Sequence, residues 1–237
     1  MDQKKQQPVA VIVGIGPGLG AALVRRFARE YRVAMIARSP DYLNQLAGER
    51  AGGGNVAAYP ADVGREDQVA AAFDKIRREL GSPQLLLYNA GAGPFGAIAE
   101  ISPEQFENCW RINTFGAFLC AKQVIGEMVA RGHGVVLFTG ATAGVKAGAR
   151  SAAFGSAKFA LRGLAQSMAR DLGPKGIHVA HINVDGVIDI PGRSYAGMKS
   201  EDMLKPDAIA ETYWHLAHQD RSSWTMELEV RPFKEKF

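Results

Sequence analysis

Val9-Ala10-Val11-Ile12-Val13 runs without interruption into Gly14-Ile15-Gly16-Pro17-Gly18-Leu19-Gly20-Ala21-Ala22-Leu23. An apolar β-branched run, a glycine-rich turn and a helix start, in that order, restrict the fold more than any other part of the chain. Residues without Cβ let the backbone turn sharply and let a ligand approach the main chain. The helix that follows offers free N–H groups and the positive end of its dipole to an anion. The spacing Gly14-x-x-x-Gly18-x-Gly20, with Leu19 inside it, suits a pyrophosphate; a plain tight turn is the competing reading.

The rest of the chain repeats the same alternation. Strands are expected at 8–13, 32–37, 55–59, 84–88, 134–139, 177–183 and 226–230, and helices near 18–30, 41–50, 65–80, 103–131, 151–173 and 207–218. Continuous apolar runs of strand length suit strands buried on both faces. The helix from 151 carries Ala157, Ala160, Leu161, Leu164, Ala165, Met168 and Leu172 at the spacing of a core-facing stripe. Ser102 fits an N-cap and Pro103 a first-turn position. Strict strand–helix alternation predicts an α/β doubly wound parallel (Rossmann) sheet of about seven strands with helices on both faces, binding ligands at the carboxyl ends of its strands. With 237 residues, 47% of them hydrophobic, a single domain over 1–237 is expected.

Composition excludes several other classes. The net charge of +4 comes from scattered side chains, not from a basic run interleaved with aromatics, so nucleic acid is not expected as a partner. No segment approaches the roughly 20 apolar residues that span a bilayer, and the polar start Met-Asp-Gln-Lys-Lys-Gln-Gln-Pro lacks a secretory apolar region, so a cytoplasmic protein is expected. Cys109 and Cys120 lie eleven residues apart on one predicted helix, too far along its axis to bond, and read as reduced packing residues. His133, His178 and His181 flank predicted strands without ligand-like spacing, and no metal is expected.

Further marks follow the glycine turn in order: Asp62-Val63 after the third strand, Asn89-Ala90-Gly91 after the fourth, Asn113 inside the long helix, and Lys158. With the glycine spacing, these make the chain resemble the short-chain dehydrogenase/reductase family of classical type, over residues 8–190 most closely. The resemblance implies a nicotinamide dinucleotide against Gly14, Gly18, Leu19 and Gly20, adenine contacts from Asp62 and Val63, and support from Asn89, Ala90 and Gly91. It also implies contacts from Gly186 and Ile188, a helix kink held by Asn113, and a nicotinamide ribose bonded by Lys158. Where the family often has an acidic ribose contact, this chain reads Ala37-Arg38. An arginine there pairs with the 2′-phosphate of NADP, so NADP(H) is favoured over NAD(H), against the alternative of an arginine that simply faces water.

The reaction centre departs from the family pattern. Residues 154–158 read Phe-Gly-Ser-Ala-Lys where the family has Tyr-x-x-x-Lys, and Ala141 stands in the slot of the family's Ser. Phenylalanine donates no proton and alanine binds no alkoxide. Lys158 and Asn113 remain as candidate catalytic residues beside these vacated slots. Thr142, Ser151 and Asp189 are possible substitute donors, and Ile190 takes the place of a Thr that would hold the nicotinamide amide. The chain is identified as a divergent member with Phe in place of the active-site Tyr. The two expected functions are an oxidoreductase of unknown substrate with an unconventional proton source or none, and a catalytically silent dinucleotide-binding sensor or partner subunit. The resemblance also implies a homodimer or homotetramer through helices 103–131 and 151–173, with Phe115, Phe118, Ala121, Val124, Ile125, Phe159, Leu161 and Met168 as apolar candidates.

Overall fold

In the computed structural model, which describes residues 7–49, 55–195 and 197–235, the sheet has seven parallel strands. They are β1 (Val9–Val13), β2 (Arg32–Ala37), β3 (Val56–Pro60), β4 (Pro83–Tyr88), β5 (Gly134–Thr139), β6 (Ile177–Val184) and β7 (Glu227–Val230), in spatial order β3-β2-β1-β4-β5-β6-β7. The chain reverses its direction of travel across the sheet at β1, so the crevice between the carboxyl ends of β1 and β4 is the topological switch point where such sheets bind ligands. The expected strands agree with the observed ones to within a residue or so. The start of the chain and the last residue of the helix expected at 41–50 lie outside the described residues.

Alternation of side chains along each strand feeds two apolar layers. Val9, Val11 and Val13 face one layer, whose helices are α3 (Glu66–Glu79), α5 (Gly116–Arg131) and α6 (Ala152–Leu172). Ala10 and Ile12 face the other, built by α1 (Leu19–Phe27), α2 (Pro40–Gly48) and α7 (Pro206–Ala217). All eight residues of β6 are buried, as two covered faces require. His178 and His181 therefore stand inside β6 instead of flanking it, and burial pushes the pKa of His181 down to about 4.

The helix expected at 103–131 is not continuous. It starts as α4 (Pro103–Trp110), capped by the Ser102 hydroxyl, which accepts from the Gln105 N–H. It then widens into a π-helical turn (Arg111–Phe115) before α5. Widening frees main-chain groups that an α-helix would pair. The fully buried Tyr88 hydroxyl donates to one of them, the Ile112 carbonyl, and a Cβ at Gly116 would lie 2.5 Å from that same hydroxyl. Tyr88 thus props the turn that holds Asn113.

Apolar residues on these helices divide between core and surface. Ala121, Val124 and Leu161 are buried in the layer above the sheet and leave nothing for a partner. Phe118 and Phe159 are exposed, with Phe106 and Trp110, and the rings of Trp110, Phe115 and Phe118 stack in succession. At the sheet edge, Arg162 of α6 donates from Nε and Nη2 to Glu227 of β7 at 2.9 and 2.8 Å, which holds that carboxyl down to about pKa 2.

Candidate active site

Gly14 ends β1 with φ of +89°, a backbone state that side chains disfavour. A Cβ there would meet Ala90 N at 2.3 Å and the Asn89 carbonyl carbon at 2.6 Å, so the turn lies directly against the end of β4. Hydrogen bonds lock the approach: Asn89 Nδ2 donates to the Gly14 carbonyl and the Gly14 N–H to the Ile36 carbonyl, each at 2.8 Å. A Cβ at Gly20 would lie 2.6 Å from the Gly14 carbonyl, so the first turn of α1 sits on the same loop. No side chain caps α1 and no acidic residue lies in its first turn, which leaves the positive end of the helix for an anion.

These elements wall a groove of about 500 Å³. Gly14, Gly18, Leu19, Gly20, Arg38, Asp62, Val63, Asn89, Ala90, Gly91 and Ile188 all line it. Asp62 Oδ1 accepts from the Gly64 N–H at 2.9 Å, which orients its carboxylate. Arg38 is exposed at the rim and has no hydrogen bond or ion pair among the described residues. Gly186 does not line the groove; a Cβ on it would meet Pro232 at 2.7 Å. Ile112, Ala92 and Thr139 do line it, although they belong to no motif, because the π turn and the ends of β4 and β5 carry them there. Ile190, which also lines it, packs over the glycine turn, 3.0 Å from where a Gly18 Cβ would be.

Lys158 and Asn113, both buried, converge beside the groove at Gly91. A Cβ on Gly91 would lie 3.2 Å from Asn113 Oδ1 and 3.3 Å from Lys158 Nζ. Asn113 Nδ2 donates to the Ala92 carbonyl at 2.5 Å and the Cys109 carbonyl at 2.8 Å, while its Oδ1 has no partner. Lys158 Nζ donates to the Thr139 carbonyl at 2.9 Å and lies 5.5 Å from the centre of the Phe154 ring. Burial pushes the Lys158 pKa down to about 8, opposed by the nearby Cys109 thiol.

The three side chains considered as substitute donors are engaged. The Thr142 hydroxyl donates to Asp185 Oδ1 at 2.5 Å, and Asp185 is also paired with Arg231. The Ser151 hydroxyl donates to the Gly148 carbonyl at 2.9 Å. Asp189 accepts from Ser200 and Lys205, which keep its carboxyl below the ordinary range. Cys109 and Cys120 are buried free thiols, and no group of metal-binding side chains occurs among the described residues.

The residues present fit a dinucleotide. The glycine cradle admits a ligand to the backbone, the helix end and Arg38 supply positive potential, and the unpartnered Asn113 oxygen and the Lys158 ammonium both approach Gly91 on the groove wall.

Comparison with known proteins agrees with this geometry. The family model for short chain dehydrogenases matches residues 8–191. A short-chain dehydrogenase/reductase of Armillaria gallica is 32% identical over 180 residues, 73% of this chain and 69% of the relative. The crystal structure of a short-chain dehydrogenase from Rhodopseudomonas palustris is 35% identical, with TM-score 0.82 over 95% of this chain and 99% of that one. A metagenomic short-chain oxidoreductase in complex with NADP is 28% identical, with TM-score 0.83 over 95% and 97%.

The depressed Lys158 pKa has a consequence for stability. Below about pH 8 the ammonium is present in both folded and unfolded chains, and its burial cost is felt in full. Between 8 and 10.5 the unfolded chain keeps a proton that the folded one has released, so stability rises with pH. Lys158→Met has no such proton. In urea melts the parent should gain on this variant by on the order of 3 kcal/mol from about pH 7 to the upper end of that window. Parallel curves for the two proteins would sink the assignment of a buried, depressed lysine.

Proposed function

This chain belongs to the short-chain dehydrogenase family of NAD(P)-dependent oxidoreductases, and we propose that it takes NADP(H) and works without the family's usual Tyr and Ser hydroxyls. The observation that carries the reading is the meeting of Lys158 Nζ and Asn113 Oδ1 at Gly91, on the wall of the glycine-cradled groove. A bound reduced nicotinamide supplies hydride. Gly14, Gly18, Leu19 and Gly20 would hold the pyrophosphate, Asp62 and Val63 the adenine, and Lys158 the nicotinamide ribose. Asn89 ties the two glycine-bearing turns together, and Ile188 and Ile190 present apolar surface over Gly18. At the position of the proton donor stands Phe154, and at that of the second hydroxyl Ala141.

An acceptor that needs no proton from the protein suits this centre, because Thr142, Ser151 and Asp189 are already committed. The same commitments favour a second reading, a dinucleotide-binding sensor or partner subunit that turns nothing over. General acid–base catalysis is worth about 10² to 10⁴-fold and a lost oxyanion donor about 10² to 10³-fold, so carbonyl reduction by the parent should be close to background.

Two experiments test the proposal. Equilibrium titration should give tighter binding of NADPH than NADH, and Arg38→Ala should weaken NADPH by roughly 1.5 to 3 kcal/mol while leaving NADH nearly unchanged. Equal losses for both would refute the phosphate contact. The double change Phe154→Tyr and Ala141→Ser should raise reduction of small activated ketones by at least about 10²-fold, with much less from either change alone. If the double variant folds, binds NADPH as the parent does and still reduces nothing, the sensor or partner reading replaces the enzyme.

We also propose a homodimer or homotetramer. The exposed rings of Phe106 and Trp110 on α4, Phe118 on α5 and Phe159 on α6 support it, since an apolar surface of this kind is normally covered. Light scattering at micromolar concentration should give a mass at least twice the 25.5 kDa of one chain; a species of one-chain mass would end the proposal.

A further inference from the structure

The hydroxyls near the reaction centre in sequence are already engaged. Besides Thr142 and Ser151, the Ser156 hydroxyl donates to the Ala153 carbonyl at 3.0 Å, and the Thr139 and Tyr213 hydroxyls pair at 2.8 Å. What faces outward is aromatic. Phe95 is 66% exposed, and its ring lies 5.3 Å from that of Phe154 at an interplanar angle of 51°.

The loop that carries Phe95 is fastened in place. The Gly96 N–H donates to the Arg150 carbonyl at 2.9 Å, Gly96 and Ser151 form a parallel bridge, and Arg150 pairs with Glu100 at 2.9 Å. A Cβ on Gly93 would lie 3.1 Å from Phe154 Cδ2 and 2.7 Å from Cys109 Sγ, so the loop backbone rests on the Phe154 ring. Through Gly91 and Ala92 this loop continues directly from the wall of the cofactor groove. A phenylalanine held two-thirds in water by a fastened loop contributes little burial to the fold. It packs on Phe154, whose ring centre lies 5.5 Å from Lys158 Nζ, and so stands at the side of the reaction centre.

We infer that Phe95 and Phe154 form the substrate-selecting wall of this centre, and that the substrate turns a flat, unsaturated, apolar face to it. A donor-free wall gives no reward to a hydroxyl or carbonyl pressed against it, and a polar group desolvated there without a partner is penalised. Two tilted rings instead reward a third ring or conjugated plane by stacking and edge contacts beyond simple burial. The inference rests on the oxidoreductase reading, because it sets the substrate beside the cofactor groove.

The test is a binding measurement, with and without NADP⁺, on the full chain. Acetophenone and acetylcyclohexane share an acetyl group and a carbon count but differ in ring planarity. Ligand-observed NMR should give acetophenone about three- to tenfold tighter binding, the range of a ring–ring contact. Phe95→Leu keeps the apolar bulk and removes the ring; it should abolish the preference while moving acetylcyclohexane by less than about twofold. NADPH affinity should be untouched. A preference that survives Phe95→Leu, or no acetophenone binding up to its solubility limit, overturns the inference. So does a loss of oligomer mass in Phe95→Leu with the preference intact, which would assign the ring to a contact between copies. Failure of the parent to bind NADPH would instead bring down the oxidoreductase reading beneath it.

Discussion

The contact between Gly14 and the Asn89–Ala90 peptide is the constraint on which the rest of the structure depends. It joins the ends of two neighbouring strands at the point where the chain changes direction across the sheet, with backbone so close that no side chain fits between. Once that approach is made, the first turn of α1 is aimed across the crevice, Asn89 is drawn to the Gly14 carbonyl, and Gly91 is left as the place where Lys158 and Asn113 arrive. A side chain at Gly14 would pry apart the crevice before it altered any ligand contact. Its absence is as much a packing requirement as a provision for phosphate.

Sheet and groove were legible in the sequence because both are written in local signals. Strands covered on two faces appear as unbroken apolar runs, and the glycine turn keeps its meaning because a strand precedes it and a helix follows. Nearly all the residues expected around the dinucleotide line one groove. The π turn at Arg111–Phe115 was not legible, since its sequence is that of an ordinary helix. It depends on a hydroxyl from Tyr88, on another element, that accommodates a freed carbonyl. The engagement of Thr142 was hidden for the same reason. Its partner Asp185 is 43 residues away, and no spacing rule connects them. Gly186 shows the opposite error: its place in a motif pointed to the groove, but the Pro232 segment packs against it.

Phe154 is held by packing alone. Its ring lies on the Gly93 backbone and near the buried Lys158 ammonium, which donates to the Thr139 carbonyl. A phenylalanine here offers surface and no proton. Shape and chemistry are separable here because the lysine is anchored from below by the sheet and does not rely on its neighbour one helical turn away.

Asp185 deserves a different reading from that of a passive buried carboxylate. It takes the Thr142 hydroxyl from one side and the Arg231 guanidinium from the other, partners 43 and 46 residues away in sequence, and so fastens the turn after β5 to the end of β7. Contacts across such long loops are the ones a folding chain must defer, because closing the loops costs entropy before the contacts repay it. Strands β1, β2 and β3 can assemble from neighbouring sequence, whereas the floor of the reaction centre has to wait for the last strand. The groove waits as well, since its Gly14–Asn89 contact spans 75 residues and needs β4 in place, so groove and Asp185 clasp alike are products of the assembled sheet and neither forms from local sequence.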